Sequence, residues 1–181
     1  MKMDYVSAIT LFAENREEFC ARPDATELLR LADHDGWTVA HAIAVDPFIG
    51  ICAIIAAGLL SDELLRLTDN DGVSVLRTAI GSYQLSAIVR AKLLTREMLL
   101  LTDADGTTVA HCIAQSGQIG VVIAAGLLTT ELLDMKNNDG ESVAALCAAR
   151  VWPDMVCGEL ERLYAMAEAN WQRRRLSFVL V

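Results

Sequence analysis

The stretch Glu97-Met-Leu-Leu-Leu-Thr-Asp-Ala-Asp-Gly106 decides the architecture, because it is one of four copies of a single phrase. The others are Glu27-Leu-Leu-Arg-Leu-Ala-Asp-His-Asp-Gly36, Glu63-Leu-Leu-Arg-Leu-Thr-Asp-Asn-Asp-Gly72 and Glu131-Leu-Leu-Asp-Met-Lys-Asn-Asn-Asp-Gly140. Their glycines stand 36, 34 and 34 residues apart, and the longer first interval places two extra residues near Asp46-Pro47. A fixed period of this size marks a solenoid, in which each unit buries its apolar face on its neighbours.

Outward from the phrase, each unit parses into turn, cap, helix, break and second helix. Aspartate favours turns through side-chain-to-backbone bonds, and glycine accepts positive φ cheaply, so Asp-x-Asp-Gly reads as a turn. Thr38, Ser74, Thr108 and Ser142 follow two residues later, where a hydroxyl caps the next helix. In the third copy Val109 to Ala114 then predicts a short helix, broken at Ser116-Gly117. Ile119 to Leu128 predicts a more apolar second helix, and Thr129 or Thr130 caps a turn of helix through Glu131-Leu-Leu. Ala40, Ala110 and Ala144 let helices approach closely.

These residues resemble the ankyrin repeat. Asp103-x-Asp-Gly106-x-Thr108-x-x-His111-x-x-Ala114-x-x-Gly117 has that family's spacing, and Asp33, Gly36, Thr38, His41 and Ala44 repeat it in the first copy. The proline that normally follows the capping residue is replaced by Val39, Val75, Val109 and Val143, and the histidine by Arg77 and Ala145 in two copies. Where the family has an extended hairpin, Glu-Leu-Leu favours helix, so partly helical fingers are expected. The resemblance implies an all-α, mainly helical chain: an ankyrin-like α-solenoid of about four repeats with N- and C-terminal capping helices. One domain is expected over 1–181, with a cap over 1–26, repeats over 27–164, and a C-terminal helix end and tail over 165–181. Met3 to Cys20 predicts one amphipathic capping helix, and a second starts at Pro153.

Composition narrows the function classes. The chain of 181 residues is 54% hydrophobic but carries a formal charge of −9, the wrong sign for sequence-independent nucleic-acid binding. Its longest apolar run, Pro47 to Leu60, is shorter than the roughly 18–20 residues that span a bilayer and reads as a buried helix, with no membrane role. No ordered basic, apolar and small-residue segments open the chain, so a cytoplasmic location is expected. Five dispersed cysteines, Cys20, Cys52, Cys112, Cys147 and Cys157, fit reduced, buried thiols.

Catalytic, cofactor and metal motifs do not emerge. Placing Gly36 at the sixth position of a calcium loop puts Leu31 first and Ala42 twelfth, so the end ligands are missing. No Cys-x-x-Cys or His-x-x-x-His pair occurs, and there is no nucleophile elbow or phosphate loop. His41 and His111 recur at the repeat position, where the resemblance implies that they brace the turn. The expectation is a protein–protein interaction scaffold with no cofactor and no enzymatic activity, its partner another protein.

Contrast between the copies selects candidate contacts. At the turn they read His34, Asn70, Ala104 and Asn138, and just past its glycine Trp37, Val73, Thr107 and Glu141. At the end of the first helix they read Val45-Asp46, Gly81-Ser82, Gln115-Ser116 and Ala149-Arg150. The resemblance implies that turn tips and a concave first-helix face hold the partner; an exposed Trp37 would be a strong anchor. The alternative is a structural homo-oligomer assembled through the C-terminal helix and the apolar tail, Leu176, Phe178, Val179, Leu180 and Val181; a third, weaker reading is an enzyme or metal-binding protein using His34 or His111 with nearby acids.

Overall fold

The computed structural model describes residues 3–47 and 50–150, with every side chain among them except that of Arg150. These residues form thirteen helices and no strand; the only extended pairing among them is four isolated antiparallel bridges. The chain opens with α1 (Tyr5–Glu14) and α2 (Arg16–Ala21). The first unit then holds α3 (Ala25–Leu28), α4 (Val39–Val45) and α5 (Gly50–Ala56). The second holds α6 (Asp62–Leu65), α7 (Val75–Gly81) and α8 (Leu85–Arg90). The third holds α9 (Arg96–Leu99), α10 (Val109–Gln115) and α11 (Ile119–Ala124), and the fourth α12 (Thr130–Asp134) and α13 (Val143–Arg150).

The expected single N-terminal helix is two. Asn15 breaks it at φ −147°, ψ 80°, and its side-chain oxygen accepts the Glu18 N–H to start α2. Phe12 and Phe19 then meet edge to face across the break, 5.3 Å between ring centres. This pair packs on the first unit, α1 against α4 and α2 against α5. The second helices also end sooner than their apolar runs. After α11, Gly126 takes φ +68° and Leu127 N–H returns to the Val122 carbonyl, which closes the helix before Leu127 and Leu128.

Each phrase folds alike. Thr38, Ser74, Thr108 and Ser142 accept the N–H three residues on, which caps the first helix of the unit. Ser61, Thr95 and Thr129 cap the short α6, α9 and α12 in the same way. The finger is therefore one turn of helix followed by a tight loop, closed by the bridges Ala32–Thr38, Thr68–Ser74, Thr102–Thr108 and Lys136–Ser142. In that loop one Oδ1 of Asp33 accepts the amides of Asp35 and Trp37. Asp69, Asp103 and Asn137 repeat the pattern. Gly36 completes the loop at φ +79°, a conformation costly for any other residue.

First helices pack on one another in chain order, α4 on α7, α7 on α10 and α10 on α13, and second helices do likewise, α5 on α8 and α8 on α11. Val39, Ala40, Ala44, Val75, Ala79, Ala110 and Ala114 lie fully or nearly fully buried between them, and Leu29, Leu65, Leu99 and Leu133 seal the finger helices below. Small residues on the facing helices permit the close approach, so a core with few aromatics fills its space with aliphatic chains. The apolar run from Pro47 supplies Gly50, Ile51 and Ile54 to this core. Cys52 in the same helix is exposed, which corrects the expectation of buried thiols; Cys20 and Cys112 are half-buried and only Cys147 of the four described is buried.

Candidate functional site: finger tips and helix loop ends

The candidate contacts divide between two places. Tip residues precede each first helix and loop-end residues stand at or just past its last residue, so a helix of about 10 Å separates the two sets. They do not form one site.

At the tips, His34, Asn70, Ala104 and Asn138 are all exposed, as is Glu141, while Trp37, Val73 and Thr107 are half-buried. Trp37 is thus not the exposed anchor expected. Its ring lies 4.8 Å from the His41 ring, centre to centre, so part of its surface is spent within its own unit. Two tip residues also tie units together. Asn70 donates its backbone amide to the Asp35 carbonyl at 3.0 Å and its side-chain amide to the His34 carbonyl. Asn138 N–H reaches the Asp105 carbonyl. A side chain placed at Gly36 or Gly106 would meet the Oδ1 of Asn70 or Asn138 at 2.7 or 2.5 Å, so these asparagines lie directly across the preceding glycine.

Beneath the tips the two recurrent histidines are fully buried. The Thr38 amide can only donate, so His41 Nδ1 accepts and the ring proton sits on Nε2. Nε2–H then donates to the Val73 carbonyl of the next unit at 3.0 Å. His111 repeats this with the Thr108 amide on one side and the Met135 and Glu141 carbonyls on the other. Burial holds His41 below its ordinary pKa and keeps it neutral. Neither nitrogen of His41 or His111 is left for a substrate. In the second unit Arg77 stands in place of histidine and forms an ion pair with the Asp103 carboxylate, whose side chain is nearly buried.

Two further chemical groupings occur. Asp33, His34 and Asp35 bring one ligand atom each within 4.8 Å of one another at the first tip, but the Oδ1 of Asp33 is committed to two backbone amides. The buried Cys147 thiol is pushed up to about 11 by burial, and burial raises Cys112 as well, so neither is an activated nucleophile.

At the loop ends Val45 is exposed, Asp46, Ser82, Gln115 and Ser116 are half-buried, and Arg150's side chain lies outside the described residues. The tail residues Leu176 to Val181 also lie outside them. Two glutamines absent from the sequence-derived candidates organise this end. Buried Gln84 donates to the Ala44 and Asp46 carbonyls and accepts the Ile51 amide, a threefold tie between the first two units. Gln118 donates to the Ile80 carbonyl of the second unit. Their spacing equals the 34-residue period, and that recurrence was the signal available in the sequence. Tyr83 was missed too. It is 70% exposed and Val45 51%, and Ser82 Oγ, from the residue before Tyr83, donates to the Val45 carbonyl.

No protein-family model matches the sequence, and no curated protein matches it either.

Proposed function

We propose that the chain is a protein-binding scaffold of ankyrin-like repeats that holds a partner without performing chemistry on it. One observation carries the reading: the residues that build each turn and cap recur from copy to copy, whereas exposed tip residues outside that framework, such as His34 and Ala104, differ. Asp33, Asp69, Asp103 and Asn137 all hold two amides, and all four first-helix caps are hydroxyls. At the exposed tips Asn70 and Asn138 recur and tie units together, while the other two copies present His34 and Ala104. A row of rigid fingers with dissimilar tips is a preorganised surface, and rigidity lowers the entropy lost on association.

The test is capture from the native source on immobilised full-length chain, followed by reconstitution from purified components. The comparison variant is Ala104→Arg, a change at an exposed tip that touches no tie. The reading expects a partner that binds the wild type stoichiometrically and the still-folded variant more weakly. A wild-type chain that recovers no reconstitutable partner contradicts it.

A further inference from the structure

Val45 and Tyr83 are the large hydrophobic residues exposed at the loop ends; the Ser82 hydroxyl, next to Tyr83 in the chain, donates to the Val45 carbonyl, and the backbone at Tyr83 is strained. Tyr83 takes φ +60°, in the left-handed region. The corresponding position in the third unit is Gly117 at φ +73°, with nothing within 4 Å of the space a side chain would enter. Glycine is therefore the residue this loop geometry favours, and a tyrosine is strained there. Most of Tyr83 nonetheless lies in solvent, at 70% exposure.

The ground under the pair is rigid. Gln84, next in the chain and buried, binds the Ala44 and Asp46 carbonyls and the Ile51 amide. Ser82 clasps the Val45 carbonyl. An exposed aromatic and an exposed aliphatic, both on a fixed base, are the composition of an interface anchor. The cap that reaches this end through Arg16 and Asp46 is acidic. Glu14, Glu17 and Glu18 are exposed on the adjoining cap, and Arg16, the cap's cation at this end, is paired with Asp46 at 3.4 Å.

We infer that the loop end bearing Val45 and Tyr83 docks a basic segment of a partner protein, which places an apolar side chain against the tyrosine and lysine or arginine towards the exposed glutamates of the cap. This rests on the scaffold reading above and assigns the docking to the loop ends, away from the finger tips. The test selects ligands from a displayed random-peptide library on the full chain, then measures them on Tyr83→Gly, Val45→Asp and Ala104→Arg. Enriched peptides should carry lysine or arginine next to an apolar residue. Tyr83→Gly should melt at the same or a higher temperature yet lose about tenfold or more in affinity, with Val45→Asp losing a similar amount. Peptides without basic residues, or full affinity retained by Tyr83→Gly, would overturn the assignment. Ligands lost only on Ala104→Arg would refute this face and leave the scaffold standing, whereas a wild type that enriches no ligand would refute both.

Discussion

The junctions between successive units are not alike. Units one and two, and again three and four, meet through an asparagine lying over the preceding glycine and a buried neutral histidine reaching a carbonyl of the next unit. Units two and three have Ala104 at the tip and an Arg77–Asp103 ion pair in place of the histidine. A small cleft of about 50 Å³ opens there, lined by Arg66, Thr68, Gly72, Arg77, Asp103 and Thr107 among others. At the outer junctions a buried histidine makes neutral hydrogen bonds, and leaving a buried partner unmet is costly. The middle one uses a pair whose arginine is about one-third exposed, so water and salt weaken it. One backbone arrangement thus accepts two kinds of tie, and they respond to different conditions.

The largest expected effect comes from removing a histidine tie. His111→Ala leaves the Thr108 amide without its ring acceptor, takes one of two donors from each of the Met135 and Glu141 carbonyls, and opens a cavity. Those carbonyls keep the Val143 and Asn137 amides, and a loss of about 3 kcal/mol is expected by denaturant unfolding. A loss no larger than that of Arg77→Ala would erase the distinction between the junctions. Next is Gly106→Ala, where the new methyl meets Asn138 and the φ of +69° is itself unfavourable. About 2 kcal/mol is expected, against about 1 kcal/mol at Gly117, where only the backbone is strained. Arg77→Ala should cost about 1 kcal/mol, since Asp103 keeps its two amides, and the cost should shrink as salt is raised. His111→Ala should show no such dependence on salt.

Acid sharpens the contrast in a further, smaller way. His41 has a lowered pKa when folded, so below its unfolded value of 6.5 the unfolded chain takes up the proton more readily. The contribution of His41 is complete above that value and falls away as pH drops from 6.5 towards the folded pKa. Unfolding measured from pH 7.5 downwards should lose part of that slope in His41→Gln. An unchanged slope would mean that His41 does not enter the fold neutral.

Much of this was legible in the sequence for local reasons. Turn chemistry at Asp103-x-Asp-Gly106 and capping by Thr108 act within a few residues, so their spacing reveals them. Histidine bracing was expected only through the family resemblance, and the geometry supplies its targets, which lie 24 to 32 residues away. Trp37 misled because its exposure depends on the His41 ring a helical turn later, a contact that composition at a tip does not disclose. The cap was read as one helix because its apolar positions continue past Asn15, whose side chain nonetheless stops one helix and starts another. Cys52 was hidden by its apolar neighbours, although Ile51 and Ile54 take the inward positions of that short helix and turn it outward. Tyr83 escaped because the comparison of copies stopped at Gly81-Ser82, one residue before the place where tyrosine replaces glycine.

The central claim is that each buried histidine ties its unit to the next through a fixed tautomer, and imidazole nitrogen NMR tests it directly. Above pH 7 the spectrum should show His41 and His111 each with a protonated Nε2 and a bare Nδ1. Each Nε2–H should exchange slowly and couple to the neighbouring unit, at Val73 for His41 and at Met135 or Glu141 for His111. Mixed tautomers, or rapidly exchanging ring protons without contact to the next unit, would contradict it.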